Sequence, residues 1–218
     1  MTRIRLCMAL VISQLIAFSF SVSAQEMRVG AGVGFTLSKF QLGTEVQYRH
    51  ISPVENQKAL LWQSQVEYGI FKWLDAGLSY RYAGTFDGNQ KLSNRIDYDA
   101  RNRFTTDLQL KTQRFDNDVK LKNRVRYQVS VKEGGKTKNY LRNKFSIDYK
   151  LTSLFRPFAD LEVYYNIREE QFQSVRLNLG SSWVLHKHVV DVAAIAEADW
   201  SDYFQMNYVL ELTYTFDW

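Results

Sequence analysis

From residue 39 to residue 218 the sequence alternates apolar and polar side chains with a period of two, and charge is confined to one of the two resulting faces. The alternating runs fall at 39–49, 60–70, 74–83, 101–113, 118–132, 140–151, 157–167, 173–185, 188–199 and 207–218. In 118–132 one parity reads Val119, Leu121, Asn123, Val125, Tyr127, Val129, Val131, and the other reads Lys120, Lys122, Arg124, Arg126, Gln128, Ser130, Lys132. In 207–218, Tyr208, Leu210, Leu212, Tyr214, Phe216 and Trp218 alternate with Asn207, Val209, Glu211, Thr213, Thr215 and Asp217. The ten apolar faces hold about 55 positions and no charge, where a chain with 23% charged residues would by chance place roughly a dozen. Something on that face cannot solvate charge. In a bilayer, Lys or Arg at mid-depth costs about 2–4 kcal/mol.

The pattern predicts an all-β chain: a transmembrane, antiparallel, up-and-down β-barrel of about ten strands. A soluble sandwich or ligand-binding barrel with its apolar face inward is the alternative. Short connections near 71–73, 114–117, 152–156 and 186–187 alternate with longer polar ones near 50–59, 84–100, 133–139, 168–172 and 200–206. That is the asymmetry of outer-membrane barrels. Tyr214, Phe216 and Trp218 share one face of the last strand and resemble a C-terminal barrel-assembly signal. Such an end lies in the periplasm, so the short turns are expected there. Two aromatic belts are expected at the interfaces. The outer one is Tyr48, Trp62, Tyr82, Phe104, Tyr140, Tyr165 and Trp200; the inner one is Phe40, Phe71, Trp73, Phe115, Tyr149, Trp183 and Trp218.

The first 24 residues differ in kind. Arg3 and Arg5 precede an apolar run from Leu6 to Phe20, and Ser21-Val22-Ser23-Ala24 follows with small residues at its end. This is the layout of a cleaved signal peptide over 1–24, with too short an apolar run for a comfortable membrane span. Cleavage would remove Cys7, the only cysteine, leaving no disulfide and no thiol nucleophile. It would also take 28 basic residues to 26 against 23 acidic ones, a net charge of +3, too little to argue for nucleic acid. The expected location is the outer membrane of a Gram-negative bacterium. The expected partners are outer-membrane lipid and the barrel-assembly machinery, with an envelope or extracellular protein as a further candidate.

Residues 25–38 form a separate segment before the barrel proper at 39–218. Within it, 28–36 also alternates, with Val29, Ala31, Val33 and Phe35 on one face. An eleventh strand would break the even count usual for single-chain bacterial barrels. The segment therefore enters the lumen or pairs at the seam, or a further strand lies in 84–100 and the barrel has twelve.

On the polar face, charges sort along the chain. Between 103 and 150 they are mainly basic: Arg103, Lys111, Lys120, Lys122, Arg124, Arg126, Arg142, Lys144 and Lys150, against Asp107 and Asp148. Between 157 and 217 they are mainly acidic: Asp160, Glu162, Asp191, Glu197, Glu211 and Asp217, against Arg176. Lining a lumen, these would make one positive and one negative wall. In a water-filled lumen such walls orient polar solutes. In a narrow lumen they pair across it and fill it, and the small strand number favours the filled form.

Catalytic signals are weak. His186 and His188 sit in a short turn with no carboxylate beside them, which reads as a polar turn rather than a metal site. His50 has Ser52 and Glu55 close by, but Pro53 restricts the tight loop that a nucleophile and base would need. No cofactor or metal is expected, and the chain reads as non-enzymatic. Three functions compete. The first is an envelope scaffold or surface-interaction barrel using loop 84–100, with Asp87, Gly88, Asn89, Gln90, Lys91 and Arg95. The second is a porin-like, narrow diffusion pore for small polar solutes. The third, a distant one, is a lipid-modifying hydrolase using His50.

The order Tyr140-Leu141-Arg142-Asn143-Lys144, then Arg176-Leu177 with Leu179-Gly180, then an aromatic final strand, resembles the bacterial outer-membrane family catalogued as domain of unknown function 2490. The resemblance spans Met27 to Trp218. It implies an outer-membrane β-barrel from a Bacteroidota-like organism, and it brings no activity, ligand or catalytic residue with it.

Overall fold

A computed structural model describes residues 24–51, 57–87, 98–112, 118–132, 134, 137–200 and 204–218. Its elements are β1 (Glu26–Leu37), β2 (Phe40–Ile51), β3 (Gln57–Phe71), β4 (Leu74–Asp87), β5 (Tyr98–Lys111), β6 (Val119–Lys132), β7 (Thr137–Tyr149), β8 (Phe155–Asn166), β9 (Gln171–Leu185), β10 (His188–Asp199) and β11 (Gln205–Asp217). Each strand pairs with its sequence neighbours, and β1 pairs with β11 to close the barrel.

Among the described residues the strand count is eleven, not ten or twelve. Residues 26–37 form a full strand, antiparallel to β2 along its whole length. In an up-and-down meander each crossing reverses direction, so the first and last of eleven strands run the same way. The closing pair is accordingly parallel, in register from Glu26 opposite Val209 to Gly34 opposite Asp217. Backbone bonds from Gln25 N to Tyr208 O (2.9 Å) and from Trp218 N to Gly34 O (2.8 Å) tie the seam at both ends. Glu26 thus lies at the long-loop end of the barrel and Asp217 at the short-turn end. The segment expected at 1–24 lies outside the described residues except for Ala24, as do 88–97 of the loop expected at 84–100.

Burial runs opposite to that of a soluble protein. Leu78, Phe104 and Leu108 are more than half exposed, whereas Arg126, Arg142, Asp107 and Glu162 are buried. The apolar face points outward and the charged face inward, the reverse of the alternative barrel or sandwich with its apolar face inward. One belt assignment fails: Tyr140 shares the inward face of Arg142 and Lys144 and is buried. Phe115 lies outside the described residues.

The tight turns use residues other than glycine. Ser38 and His186 both take positive φ (55° and 60°) in two-residue connections. His186 is therefore a turn residue. His188 points outward, its Nδ1 2.7 Å from the Tyr214 hydroxyl and its ring 5.3 Å from that of Phe216.

One glycine is required by packing. A Cβ on Gly180 would stand 2.5 Å from Phe158 Cζ and 2.6 Å from the Val192 carbonyl oxygen. The Phe158 ring lies over this gap between β8 and β10. Gly180→Ala is expected to destabilise the barrel by about 1–3 kcal/mol, as overpacking does, read as a lower urea midpoint in lipid vesicles. An arginine on the outward face tests the surroundings of that face. Val125→Arg is expected to cost about 2–4 kcal/mol in the same assay, and an unchanged midpoint would mean that the face does not meet hydrocarbon.

Candidate functional site

The lumen encloses a cavity of about 630 Å³ lined by residues from every strand. Towards the short-turn end a second cavity of about 390 Å³ shares Glu45, Gln63 and Gln65 with the first, so the two adjoin. The inward face of β1 contributes Gly30, Gly32 and Gly34, small residues over which the Glu45 and Asp217 carboxylates lie.

Of the basic residues singled out from sequence, Arg103, Arg124, Arg126, Arg142 and Lys144 line the larger cavity. Lys120 and Lys122 share their face nearer the short-turn end, and Lys122 Nζ stands 2.7 Å from Asp148. Of the acidic residues, Asp160, Glu162, Glu197 and Glu211 line the cavity. Asp191 lies on the same face of β10, nearer the short turn. Tyr214 and Trp218 are exposed on the outward face, where Phe216 and Trp218 approach to 6.2 Å between ring centroids.

The ion pairs of the central lumen join adjacent strands or neighbours on one strand. Arg126 donates through Nε and Nη2 to Asp107. Arg142 Nη2 reaches Glu162 at 2.8 Å, Lys144 reaches Asp160 at 2.7 Å, and Arg176 reaches Glu197 at 2.7 Å. Lys111 pairs with Asp75 at 2.6 Å. Arg28 binds Glu26 at 2.7 Å and Glu211 at 3.5 Å, while Arg49 approaches Glu26 at 3.7 Å. Residues on neighbouring strands lie about 5 Å apart, within reach of a salt bridge, whereas opposite walls of an eleven-stranded barrel are too far apart. The expected filled lumen gives way to a lined one.

This arrangement also removes the separate negative wall. Asp160, Glu162 and Glu197 are each held by a cation on the next strand, so β8 to β10 present neutral pairs. Twelve Arg and Lys side chains line the larger cavity against six Asp and Glu, and counting Glu26 and Asp107, which hold its arginines, leaves an excess of four cations. Tyr164 lies under two of them, 4.5 Å from the Arg142 guanidinium carbon and 5.2 Å from that of Arg176, and its hydroxyl donates to Glu162 at 2.9 Å.

Arg28, Arg49, Arg81, Glu26, Glu45 and Tyr164 are lumenal residues that the charge sorting did not single out. Arg49 and Arg81 sit on the polar parity of their strands and were legible by extending the alternation to β2 and β4. Arg28 required β1 to be a strand. His50 lies at the loop end of β2, on the parity of outward-facing Val46 and Tyr48; Ser52 and Glu55 lie outside the described residues. No group of three His, Cys, Asp or Glu side chains among the described residues could hold a metal ion.

Individual charges should respond differently to removal. Lys122→Gln and Arg126→Gln each break a pair and are expected to lower the unfolding free energy by about 1–3 kcal/mol. Arg124 has no ion-pair partner among the described residues and faces Lys144 across β6 and β7. Arg124→Gln is therefore expected to change stability by less than about 0.5 kcal/mol or to raise it. Equal losses in all three variants, measured by urea unfolding in vesicles, would contradict this reading of the pairs.

The fold is shared with solved outer-membrane barrels at low sequence identity. The β domain of the Bordetella autotransporter BrkA aligns with a TM-score of 0.52 and 14% identity, over 80% of this chain and 82% of that one. LpxR from Salmonella typhimurium aligns with a TM-score of 0.52 and 10% identity, over 81% of this chain and 83% of that one. Among curated proteins the sequence has no match. A family model described as "Protein of unknown function (DUF2490)" matches residues 33–192, and the chain belongs to that family.

Proposed function

We propose that the protein is an outer-membrane barrel of a Gram-negative bacterium whose lumen forms a narrow path for small polar solutes. The observation that carries this reading is the lateral arrangement of the ion pairs, which leaves polar space along the axis instead of filling it. The apolar outward face and the fold shared with outer-membrane barrels support the location. The signal-peptide layout of residues 1–24 supports export, and the outward aromatic series Tyr214, Phe216 and Trp218 supports recognition by the barrel-assembly machinery. In this reading the short turns face the periplasm and the long loops face outward.

The barrel acts without catalysis. A scaffold role rests on the loop at 84–100, most of which lies outside the described residues, whereas the lumen is built from described side chains. A hydrolase role would need His50 to meet a nucleophile at the outer rim, and His50 has an outward-facing position.

Four excess cations around the larger cavity favour anions over cations, as charged linings do in channels. The purified protein, checked for the heat-dependent gel shift of a folded barrel, is expected to give small, stable conductance steps in planar bilayers. Reversal potentials in a salt gradient should show anion preference, and Arg81→Gln with Arg103→Gln should reduce it. A folded barrel that never conducts would overturn the path reading.

A further inference from the structure

Three pairs of arginines stand directly opposite each other on adjacent strands: Arg28 with Arg49, Arg126 with Arg142, and Arg81 with Arg103. Like charges in register destabilise a sheet unless something stands between or beside them. The first pair shares Glu26. The second is flanked by Asp107 on one side and Glu162 on the other. The third has no carboxylate partner among the described residues. Arg81 Nε donates to Gln63 Oε1 at 2.7 Å, and Gln63 in turn donates to Gln65 at 3.3 Å. Arg103 Nε is buried with no hydrogen-bond partner. The inward residues around the pair on β3 to β6 include the neutral Gln63, Gln65, Ser79, Thr105, Gln128 and Ser130 and a further cation, Arg101, while Glu45, one strand beyond Gln63 on β2, is an acid whose charge acts on Arg81. Both guanidinium groups line the larger cavity.

From this contrast we infer that Arg81 and Arg103 form a binding site for a phosphoryl group, carried by inorganic phosphate or by a small phosphate ester. The inference names a solute class for the lumen proposed above and rests on that lumen being open to solvent. Two adjacent guanidinium forks offer more donors than a carboxylate's two oxygens can take, and they suit an oxyanion with three or four acceptor oxygens. Gln63 accepts from Arg81 Nε, so the two terminal nitrogens of that fork are the ones that would meet a ligand. The anion would supply the charge that Glu26 supplies to the first pair. A cavity of about 630 Å³ has room for a phosphate and a small organic group beside it.

The test is calorimetric titration of inorganic phosphate into the folded, detergent-solubilised protein at low salt, with glycerol 3-phosphate and acetate as comparisons. Saturable phosphate binding is expected, with acetate weaker by about tenfold. Tighter binding of the ester would assign the site to an ester, and equal binding to phosphate itself; both support a phosphoryl site. Arg81→Gln with Arg103→Gln should weaken phosphate by at least about tenfold, and Arg103→Lys, which keeps charge but loses the fork, should weaken it by a smaller factor. Lys122→Gln with Asp148→Asn removes a neutral pair outside that cavity and should leave phosphate binding within about threefold of the parent. Each variant is first checked for the folded gel shift. No binding to the parent, or unchanged binding in the double arginine variant that folds, overturns the inference. Phosphate binding in a barrel that never conducts would remove the path and leave the site; anion conductance without phosphate binding would do the reverse.

Discussion

The parallel pairing of β1 with β11 is the constraint on which the rest of the barrel depends. A sheet closed on itself leaves no edge of unpaired N–H and C=O groups. Ten strands from β2 to β11 could close only by bringing β2 and β11 together. Instead β1 stands between them, antiparallel to one and parallel to the other. Its inward glycines give the Glu45 and Asp217 carboxylates room beside the seam, while its outward Met27, Val29 and Phe35 continue the apolar belt. The odd count follows, and it sets Glu26 and Asp217 at opposite ends of the barrel.

Closure at eleven strands also decides what the lumenal charges can do. The circumference puts cations and carboxylates of adjacent strands within contact distance and keeps opposite walls apart. Arg126 with Asp107 and Arg142 with Glu162 are thus part of the wall, each pair answering its own burial cost locally. What remains along the axis is space bordered by neutralised pairs and by arginines without such partners. The net positive cavity arises because the acids of β8 to β10 are bound by their neighbours, not because acids are scarce.

The family and the fold describe a frame rather than a task. An autotransporter domain and LpxR share the barrel at 14% and 10% identity, and such a frame carries unrelated activities through the residues placed inside it or on its rims. In this chain the distinguishing residues are inside, where twelve cationic side chains from seven strands meet one cavity.

Much of this was readable along the chain. Strict alternation in 118–132 and 207–218 assigned Arg124 and Arg126 to one face and Leu210 and Leu212 to the other, since a strand's side chains alternate whatever lies around it. The short and long connections were equally plain, because turn length is a local property. Closure was not. Whether residues 26–37 add a strand depends on partners 180 residues away, and period two alone does not reveal a parallel seam. Tyr140 was assigned to a belt by its residue type, yet its parity with Arg142 turns it inward. Pairing was beyond the sequence for the same reason. Charge order along the chain suggested two opposed walls, but only the register, which sets Arg126 opposite both Asp107 and Arg142 and sets Arg81 opposite Arg103, decides which cations have carboxylates within reach and which do not.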